Sequence, residues 1–337
     1  MPLTQNQVLN VLETTYVPGI KKLLLSLGRV DNIEVVGNTV NISLRLTPID
    51  EENITKLKEV LANRLTLLGA SDVNIDITFK TTPKIKHIIA IGSGKGGVGK
   101  STVATNLAAS LANKGFKVGL MDADIYGPNI PEMFGIAQNL PEVTSDNKMI
   151  PLEKYGVKIM SIGFLLENSS TPIIWRGPLI ARAIEQFYED VDWGELDFLL
   201  VDLPPETGDV ALTVAQAIPT EYGIIVTTPQ SVSVLDASKA LNMFKQMNIK
   251  VLGIIENMAY FKCPHCGKIT EIFSSGGGEK LAEKTGTMLL GKIPLEVEVR
   301  EGADNGVPSI FLEGNSDVKT AFLNIADKLI ELIGSTP

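Results

Sequence analysis

Residues 87–102, His-Ile-Ile-Ala-Ile-Gly-Ser-Gly-Lys-Gly-Gly-Val-Gly-Lys-Ser-Thr, limit the possible folds more than any other stretch: an apolar run breaks into glycines and ends at a lysine and two hydroxyls. The order reads as strand, phosphate-binding loop and helix start. Gly94, four further residues, then Gly99, Lys100 and Ser101 fit the P-loop pattern, in which backbone N–H groups surround phosphate oxygens and the lysine reaches the outer phosphates. Ser101 would then hold Mg. Glycines are required where the backbone approaches an anion closely, and the helix that follows points its positive end at the charge. A glycine-rich turn without a ligand is the competing reading. It loses ground because Ile88 to Ile91 supply the strand and Val103 to Leu111 the helix. Lys95, a second lysine inside the loop, is not needed by ordinary P-loops and narrows the class.

The chain of 337 residues has room for one large or two unequal domains, and 44% hydrophobic residues suffice for a sizeable core. A net charge of -9 without a basic stripe argues against a general nucleic-acid partner. The first residues show neither a charged leader nor an apolar core, and no apolar run approaches membrane-spanning length. A cytoplasmic protein without a membrane partner is expected. Cys263 and Cys266 are the 2 cysteines. A disulfide framework is thereby excluded, and the C-x-x-C spacing points to metal or redox chemistry.

Before the loop, residues 4–27 read as a helix in two pieces split at Pro18-Gly19, the second ending on Gly28 as a C-cap. Two strands, 30–36 and 40–46, flank the turn Gly37-Asn38; a helix from Asp50 to about Leu68 and a strand over 73–79 complete a small α+β unit. A polar hinge at Thr81-Thr82-Pro83-Lys84 divides residues 1–82 from 83–337. Beyond it, strands and helices alternate, predicting an α/β fold with a parallel sheet and helices on both faces. The strand 116–121 ends in Asp122-Ala123-Asp124, where carboxylates sit beside the ligand in such folds. Residues 136–154 read as a polar surface excursion closed by a hairpin. The apolar strand 196–203 carries Asp202 near its end, a Walker-B-like carboxylate placed to hold the water shell of Mg. A capping aspartate is the alternative, but so apolar a strand end demands a partner for the charge. Strands at 222–228, 251–256 and 288–293 and helices near 231–247, 277–285 and 317–333 follow; the last helix reads as core packing.

Lys95 inside the loop, the paired aspartates 122 and 124, and Asp-Leu-Pro-Pro at 202–205 together resemble the deviant-Walker-A ATPases, which include MinD, ParA, the nitrogenase iron protein and the Mrp/ApbC iron-sulfur carriers. The more specific resemblance is to the Mrp/ApbC group. It is carried by Asp-Ala-Asp-Ile-Tyr-Gly-Pro at 122–128, Trp-Arg-Gly-Pro at 175–178, Asn-Met-Ala-Tyr-Phe-Lys-Cys-Pro-His-Cys-Gly at 257–267 and Arg-Glu-Gly-Ala-Asp at 300–304. The first domain resembles the small domain found in SufT-like assembly factors. The resemblance implies a cytoplasmic homodimeric ATPase that carries a 4Fe-4S cluster between scaffold proteins and apo iron-sulfur proteins. It implies that Gly94, Lys95, Gly96, Gly97, Val98, Gly99, Lys100, Ser101 and Thr102 bind the phosphates of ATP, with Lys95 reaching the partner's nucleotide. Asp124 would orient the attacking water, with Asp122 close to Mg. Asp202 would associate with Mg, and Asn257 and Pro294 would contact adenine. Glu206 stands where the family usually has glycine.

Taken alone, Cys-Pro-His-Cys-Gly favours zinc, since structural zinc uses four ligands, often from such knuckles. Iron-sulfur clusters also use four thiolates, and one chain offers two, so a closed thiolate site requires two copies. The resemblance implies a 4Fe-4S cluster shared between subunits rather than zinc. The competing function is a MinD- or ParA-like positioning ATPase with a structural zinc; it would call for a basic amphipathic tail or a DNA-binding face, and neither is visible.

Overall fold

The computed structural model describes residues 3–79, 83–145, 148–165, 177–205, 208–314 and 316–336. Thr81 and Thr82 of the hinge, Trp175 and Arg176 of the Trp-Arg-Gly-Pro signature, and Glu206 lie outside the described residues. By its contacts the chain divides into two units, Met1–Thr82 and Pro83–Pro337.

In the first unit, helix α1 (Gln5–Glu13) starts at a capping box between Thr4 and Gln7, and α2 (Glu51–Leu67) starts at Asp50, whose carboxylate accepts from the Asn53 amide. Strands β1 (Gly28–Val36) and β2 (Thr39–Leu46) form the expected hairpin, and β3 (Asp72–Phe79) joins β2 in parallel, giving the order β1-β2-β3. Alternate residues of β2, Val40, Ile42, Leu44 and Leu46, pack with Leu57, Leu61 and Leu65 of α2 in one core. The second helical piece expected before Gly28 is only a short 3-10 turn, Leu24–Ser26. Gly28 is not a C-cap: it opens β1, and a β-carbon there would lie 2.0 Å from the Arg45 carbonyl. Close approach of two strands, not a left-handed helix end, requires the glycine.

The second unit is built on an eight-stranded sheet. Its strands are β4 (Lys84–Ser93), β5 (Val118–Asp122), β6 (Leu152–Lys154), β7 (Val157–Ser161), β8 (Glu195–Asp202), β9 (Tyr222–Thr227), β10 (Lys250–Glu256) and, after a two-stranded hairpin of β11 (Phe261–Lys262) and β12 (Ile269–Thr270), β13 (Leu289–Lys292). They lie in the order β13-β10-β9-β4-β8-β5-β7-β6, all parallel except the antiparallel edge pair β6/β7. The α/β reading therefore holds, with an antiparallel edge strand. Helices α3 (Lys100–Asn113), α4 (Ile130–Met133), α5 (Gly177–Glu189), α6 (Asp209–Ala217), α7 (Ser231–Gln246), α8 (Gly277–Thr285), α9 (Val297–Asp304) and α10 (Asp317–Ile333) connect and flank the strands. The excursion at 136–154 does close on the β6/β7 hairpin, but β7 is a sheet strand whose last residue, Ser161, enters the site. The central strands are near-continuous apolar runs because both faces are covered.

Phe244 of α7 shows how a helix is seated on this sheet. Its ring lies over Gly223 of β9 and Gly92 of β4, where added β-carbons would come within 2.4 Å and 2.9 Å of the ring. Replacing Phe244 by alanine leaves a ring-sized void that neither glycine can fill. Phe244→Ala should destabilise the second unit by about 3–5 kcal/mol. The measurement is urea unfolding followed by tryptophan fluorescence, since Trp193 is buried in this unit; an unmoved midpoint would count against this packing.

Candidate nucleotide site and cysteine hairpin

Sheet register assembles the site. β8 lies between β4 and β5, with Asp202 paired to Ile91 on one side and to Asp122 on the other. Main-chain bonds from Leu203 to Ile91 and from Ala123 to Asp202 tie the three strand ends together at their carboxyl ends. Ligands collect at this edge in open parallel sheets.

The loop from Gly94 to Gly99 bridges β4 and α3. Gly97 and Gly99 sit at φ +80° and +81°, where side chains are strained, and a β-carbon at Gly97 would meet nothing within 4 Å. Gly94 is needed for a different reason: its β-carbon would lie 1.9 Å from the main-chain carbon of Asp236 in α7. The result is an open glycine cradle at the N-terminus of α3, which fits an anion of phosphate size. Thr102 lies in the first turn of α3, and its carbonyl accepts from Asn106.

Lys100, 5% exposed, directs its ammonium at Asp202 Oδ1 (2.8 Å) and Asp124 Oδ2 (3.5 Å). Ser101 Oγ donates to Asp202 Oδ2 at 2.6 Å. Asp122, fully buried, accepts from Ser161 Oγ at 2.9 Å and from the amides of Asp124 and Ile130. Burial works to discharge Lys100, but Asp202 and Asp124 outweigh it and its pKa stands above the ordinary value. Burial, then the neighbouring Asp202, pushes Asp122 up to about 8, and Ser161 only partly opposes this. Burial also raises Asp124, against the pull of Lys100. Asp124 Oδ1 is buried without a hydrogen-bond partner. Hard carboxylate and hydroxyl oxygens around one cation, with one oxygen unengaged, suit Mg.

The other expected contacts are distributed around this centre. Lys95 is half-exposed, and its carbonyl accepts from Ser93 Oγ; among the described residues no hydrogen bond or ion pair reaches its ammonium. Asn257 donates from Nδ2 to the Val98 carbonyl at 2.8 Å, fixing the loop from behind. Pro294 is buried in the turn after β13, beside main-chain bonds from Ala259 to Ile293 and from Leu295 to Tyr260.

Cys263 and Cys266 sit on the turn between β11 and β12. The Gly267 amide donates to the Cys263 carbonyl and Cys263 N–H to the Lys268 carbonyl, with Gly267 at φ +70°. Backbone N–H groups of Cys266 and His265 facing the Cys263 sulfur hold its thiol below the ordinary range. Cys266 and His265 are exposed. Among the described residues no third histidine, cysteine or carboxylate joins this pair in a metal-binding group. Cys263 lies six positions after Asn257, a span of at most about 20 Å when extended.

Two functional side chains escaped the sequence reading. Ser161 ends β7, a strand that lies just beyond the polar excursion and to which the sequence pattern assigns no element. Glu256, fully buried at the end of β10, accepts the Gly278 amide at the start of α8 through Oε2 and leaves Oε1 without a partner. The clue to it was a charged residue closing an otherwise apolar strand, as at Asp202.

A raised Asp122 pKa means that the nucleotide-free fold binds a proton the unfolded chain releases above its ordinary pKa near 4. Between that value and about 8 the native state holds more protons, so stability falls as pH rises. Thermal unfolding in chelator, without nucleotide, should show Tm declining from pH 5 to pH 8.5, and Asp122→Asn, which resembles the protonated acid, should flatten the decline. An equal slope in the variant would assign the effect elsewhere.

A family model described as the NUBPL iron-transfer P-loop NTPase of the ParA group matches residues 84–330. The iron-sulfur cluster carrier protein of Helicobacter pylori is 44% identical over 342 residues, covering 97% of this chain and 92% of that protein. Its counterpart in Methanocaldococcus jannaschii is 51% identical over 268 residues, 79% of this chain and 91% of the relative. Among solved structures, a nucleotide-binding protein from Archaeoglobus fulgidus in complex with ADP is 42% identical, with a TM-score of 0.61 over 68% of this chain and 90% of its own. The cell division ATPase MinD of Pyrococcus furiosus, 23% identical with a TM-score of 0.57 over 73% of this chain and 99% of its own, shares the fold. A match that begins with β4 and runs into the last turns of α10, with the cradle, lysine and carboxylates inside it, means that this chain belongs to the NUBPL iron-transfer P-loop NTPase family.

Proposed function

We propose that this chain is an ATP-hydrolysing carrier that holds a 4Fe-4S cluster between two copies of itself and delivers it to apo iron-sulfur proteins. The observation that carries the reading is the thiolate turn at Cys263 and Cys266, six residues along the chain from a side chain that grips the phosphate loop. The curated relatives named as iron-sulfur cluster carriers support the cargo.

In the hydrolytic half, the loop amides and Lys100 bind the β- and γ-phosphates. Lys100 exchanges Asp202 and Asp124 for phosphate oxygens as the nucleotide enters. Ser101 and Asp202 would hold Mg, which supplies charge neutralisation at the transferring phosphoryl group. Asp124, with one oxygen unengaged, accepts a hydrogen bond from the attacking water and orients it. Asp122 stays behind these groups and supports them through Ser161 and the Asp124 amide. Asn257 and the turn at Pro294 border the base. Lys95, without a partner of its own among the described residues, reaches the phosphates of the facing subunit. The cargo is held by two thiolates from each chain, and the amides of His265 and Cys266 stabilise sulfur charge. No described helix is long and apolar enough to cross a membrane.

The Lys95 role is separable from nucleotide affinity. Lys95→Ala should bind ATP nearly as well as the parent while losing hydrolysis, because one donor to the developing charge is missing only in the closed dimer. Mixing it with Asp124→Ala should restore measurable phosphate release from heterodimers that contain one intact composite site. Failure at every mixing ratio rules out action across the interface.

The cargo is tested by ligand arithmetic. Two thiolates per chain and four per cluster give one cluster per dimer. Either Cys263→Ser or Cys266→Ser removes two of the four thiolates at once, so anaerobic reconstitution should yield iron-free protein that still binds ATP. Four irons on a monomer, or a stoichiometric zinc that iron and sulfide cannot replace, would instead favour the positioning ATPase with a structural metal.

A further inference from the structure

None of the loop, carboxylate or cysteine residues described above belongs to the first unit, and its three-stranded sheet leaves its two edges in different conditions. At β1 the pairing with β2 shifts register between Val30 and Asn32, and the Gln5 side chain of α1 donates to the Ile33 carbonyl at 2.8 Å. A bulge and a side-chain cap are ordinary ways of closing an edge. β3 has neither. It pairs with β2 without a shift from Thr39↔Asp72 to Leu46↔Phe79, contains no proline or lysine, and among the described residues no strand pairs with its outer side. A regular edge of this length is a template for another strand.

A cleft of about 600 Å³ runs beside this strand, between it and α2, with Ile42, Val73 and Ile75 at its floor and Lys58, Glu59 and Ala62 along its wall. Val40, Ile42, Leu44 and Leu46 of β2 are fully buried, whereas Val73, Ile75 and Ile77 of β3 are only half-buried. The apolar layer under α2 therefore stops one strand short of being covered. On the other face of β3, Asp72 and Asp76 are exposed on either side of Asn74.

We propose that β3 and α2 form a docking groove that accepts an extended segment of a partner protein as a fourth strand, its side chains alternately apolar and basic. The backbone requirement comes from β3's outward N–H and C=O groups, which an extended chain can satisfy and a helix, with its own groups already paired, cannot. The alternation comes from the pleat: one set of side chains enters the cleft against Val73, Ile75 and Ala62, and the other lies beside Asp72 and Asp76. A second copy of this chain is the poorer occupant, because pairing β3 with itself puts the Asp72 and Asp76 carboxylates of both copies on one face. The groove lies in the unit without the thiolates, and its test involves neither iron nor ATP, so it stands or falls separately from the carrier reading.

The probe is a fluorescent heptapeptide of alternating lysine and valine, blocked at both ends, with a second version carrying proline at its centre. Each is titrated into the full-length chain by anisotropy, and amide hydrogen exchange is followed with and without peptide. Binding of the first peptide, slowed exchange at β3 and no protection by the proline version are expected. Asp72→Lys combined with Asp76→Lys should weaken binding about tenfold by replacing attraction with repulsion. Ala62→Phe, which fills the cleft without changing charge, should weaken it as well; both variants must keep the parent's thermal transition. Equal affinity for parent and variants means general attraction to an acidic chain and overturns the groove. So does unchanged exchange at β3 under saturating peptide. Protection of β3 that rises with protein concentration in the absence of peptide would assign the edge to a second copy and equally overturn the proposal.

Discussion

One buried ammonium facing carboxylates governs the second unit. Lys100 is almost wholly removed from water and survives there as a cation because Asp202 and Asp124 lie within reach. Such an arrangement is weak as a source of stability, since desolvating the ions costs about as much as their attraction returns. Its value is that it is out of balance. Three carboxylates face one lysine, and the excess negative charge is relieved in the nucleotide-free state by a proton on Asp122 held up to about pH 8. A metal cation and a phosphate that draws Lys100 away would relieve it differently. The sheet exists in the form it does to hold this imbalance in place: the pairing of β5 with β8 sets Asp122 against Asp202, and the start of α3 brings Lys100 over both.

The end of β10 connects that centre to the cysteine hairpin. Asn257 and Glu256 are consecutive on a strand end and therefore project in opposite directions. One grips the phosphate loop at Val98, and the other holds the first turn of α8 at Gly278. Both contacts are tight: a β-carbon at Gly99, next to Val98 and at φ +81°, would sit 2.2 Å from Asn257 Nδ2, and one at Gly278 would sit 3.0 Å from Glu256 Cβ. The segment from Met258 to Gly276, including both cysteines, lies between these two anchors and is tied further at Ala259 and Tyr260 to the turn after β13. On the proposed function, a displacement of the loop by nucleotide acts on Asn257 and so on the base of the hairpin, with only six residues to the first sulfur.

Legibility in the sequence followed how local each determinant was. The P-loop strand, glycines and helix are one continuous stretch, and their hydrophobic pattern switches period where the structure switches element, so Gly94 to Thr102 could be placed from the residues. Asp122, Asp124 and Asp202 were legible because a charge at the end of an apolar strand is costly without a partner. The same rule, applied to Glu256 at the end of β10, would have found it. Ser161 was harder. It closes a short strand whose partner, β5, lies far earlier in the chain, and Lys158 interrupts the apolar run that would have marked that strand. Gly28 misled for the reverse reason: a glycine after an apolar run is the mark of a helix end, but here the constraint is the Arg45 carbonyl across the hairpin, which local propensity cannot report.

The incompleteness of the cysteine site bears on its purpose. A structural metal centre closes its ligand set within the fold, because an unfilled position invites loss or exchange. Here the fold offers two sulfurs, one exposed, on a hairpin of two short strands, and gives them main-chain amides rather than further ligands. Amides stabilise thiolate charge without competing for a metal, so they keep the sulfurs ready while the remaining coordination must come from outside the chain. For a protein whose cargo has to leave, this is the more useful design. On the proposed function, a second copy completes the set during carriage, and an acceptor's thiolates complete it during transfer. The energetic difference between the two states then depends on how well two hairpins are aligned rather than on breaking a closed cage. On the same proposal, alignment is what the nucleotide site, tied to the start of each hairpin segment through the Asn257–Val98 contact, would alter.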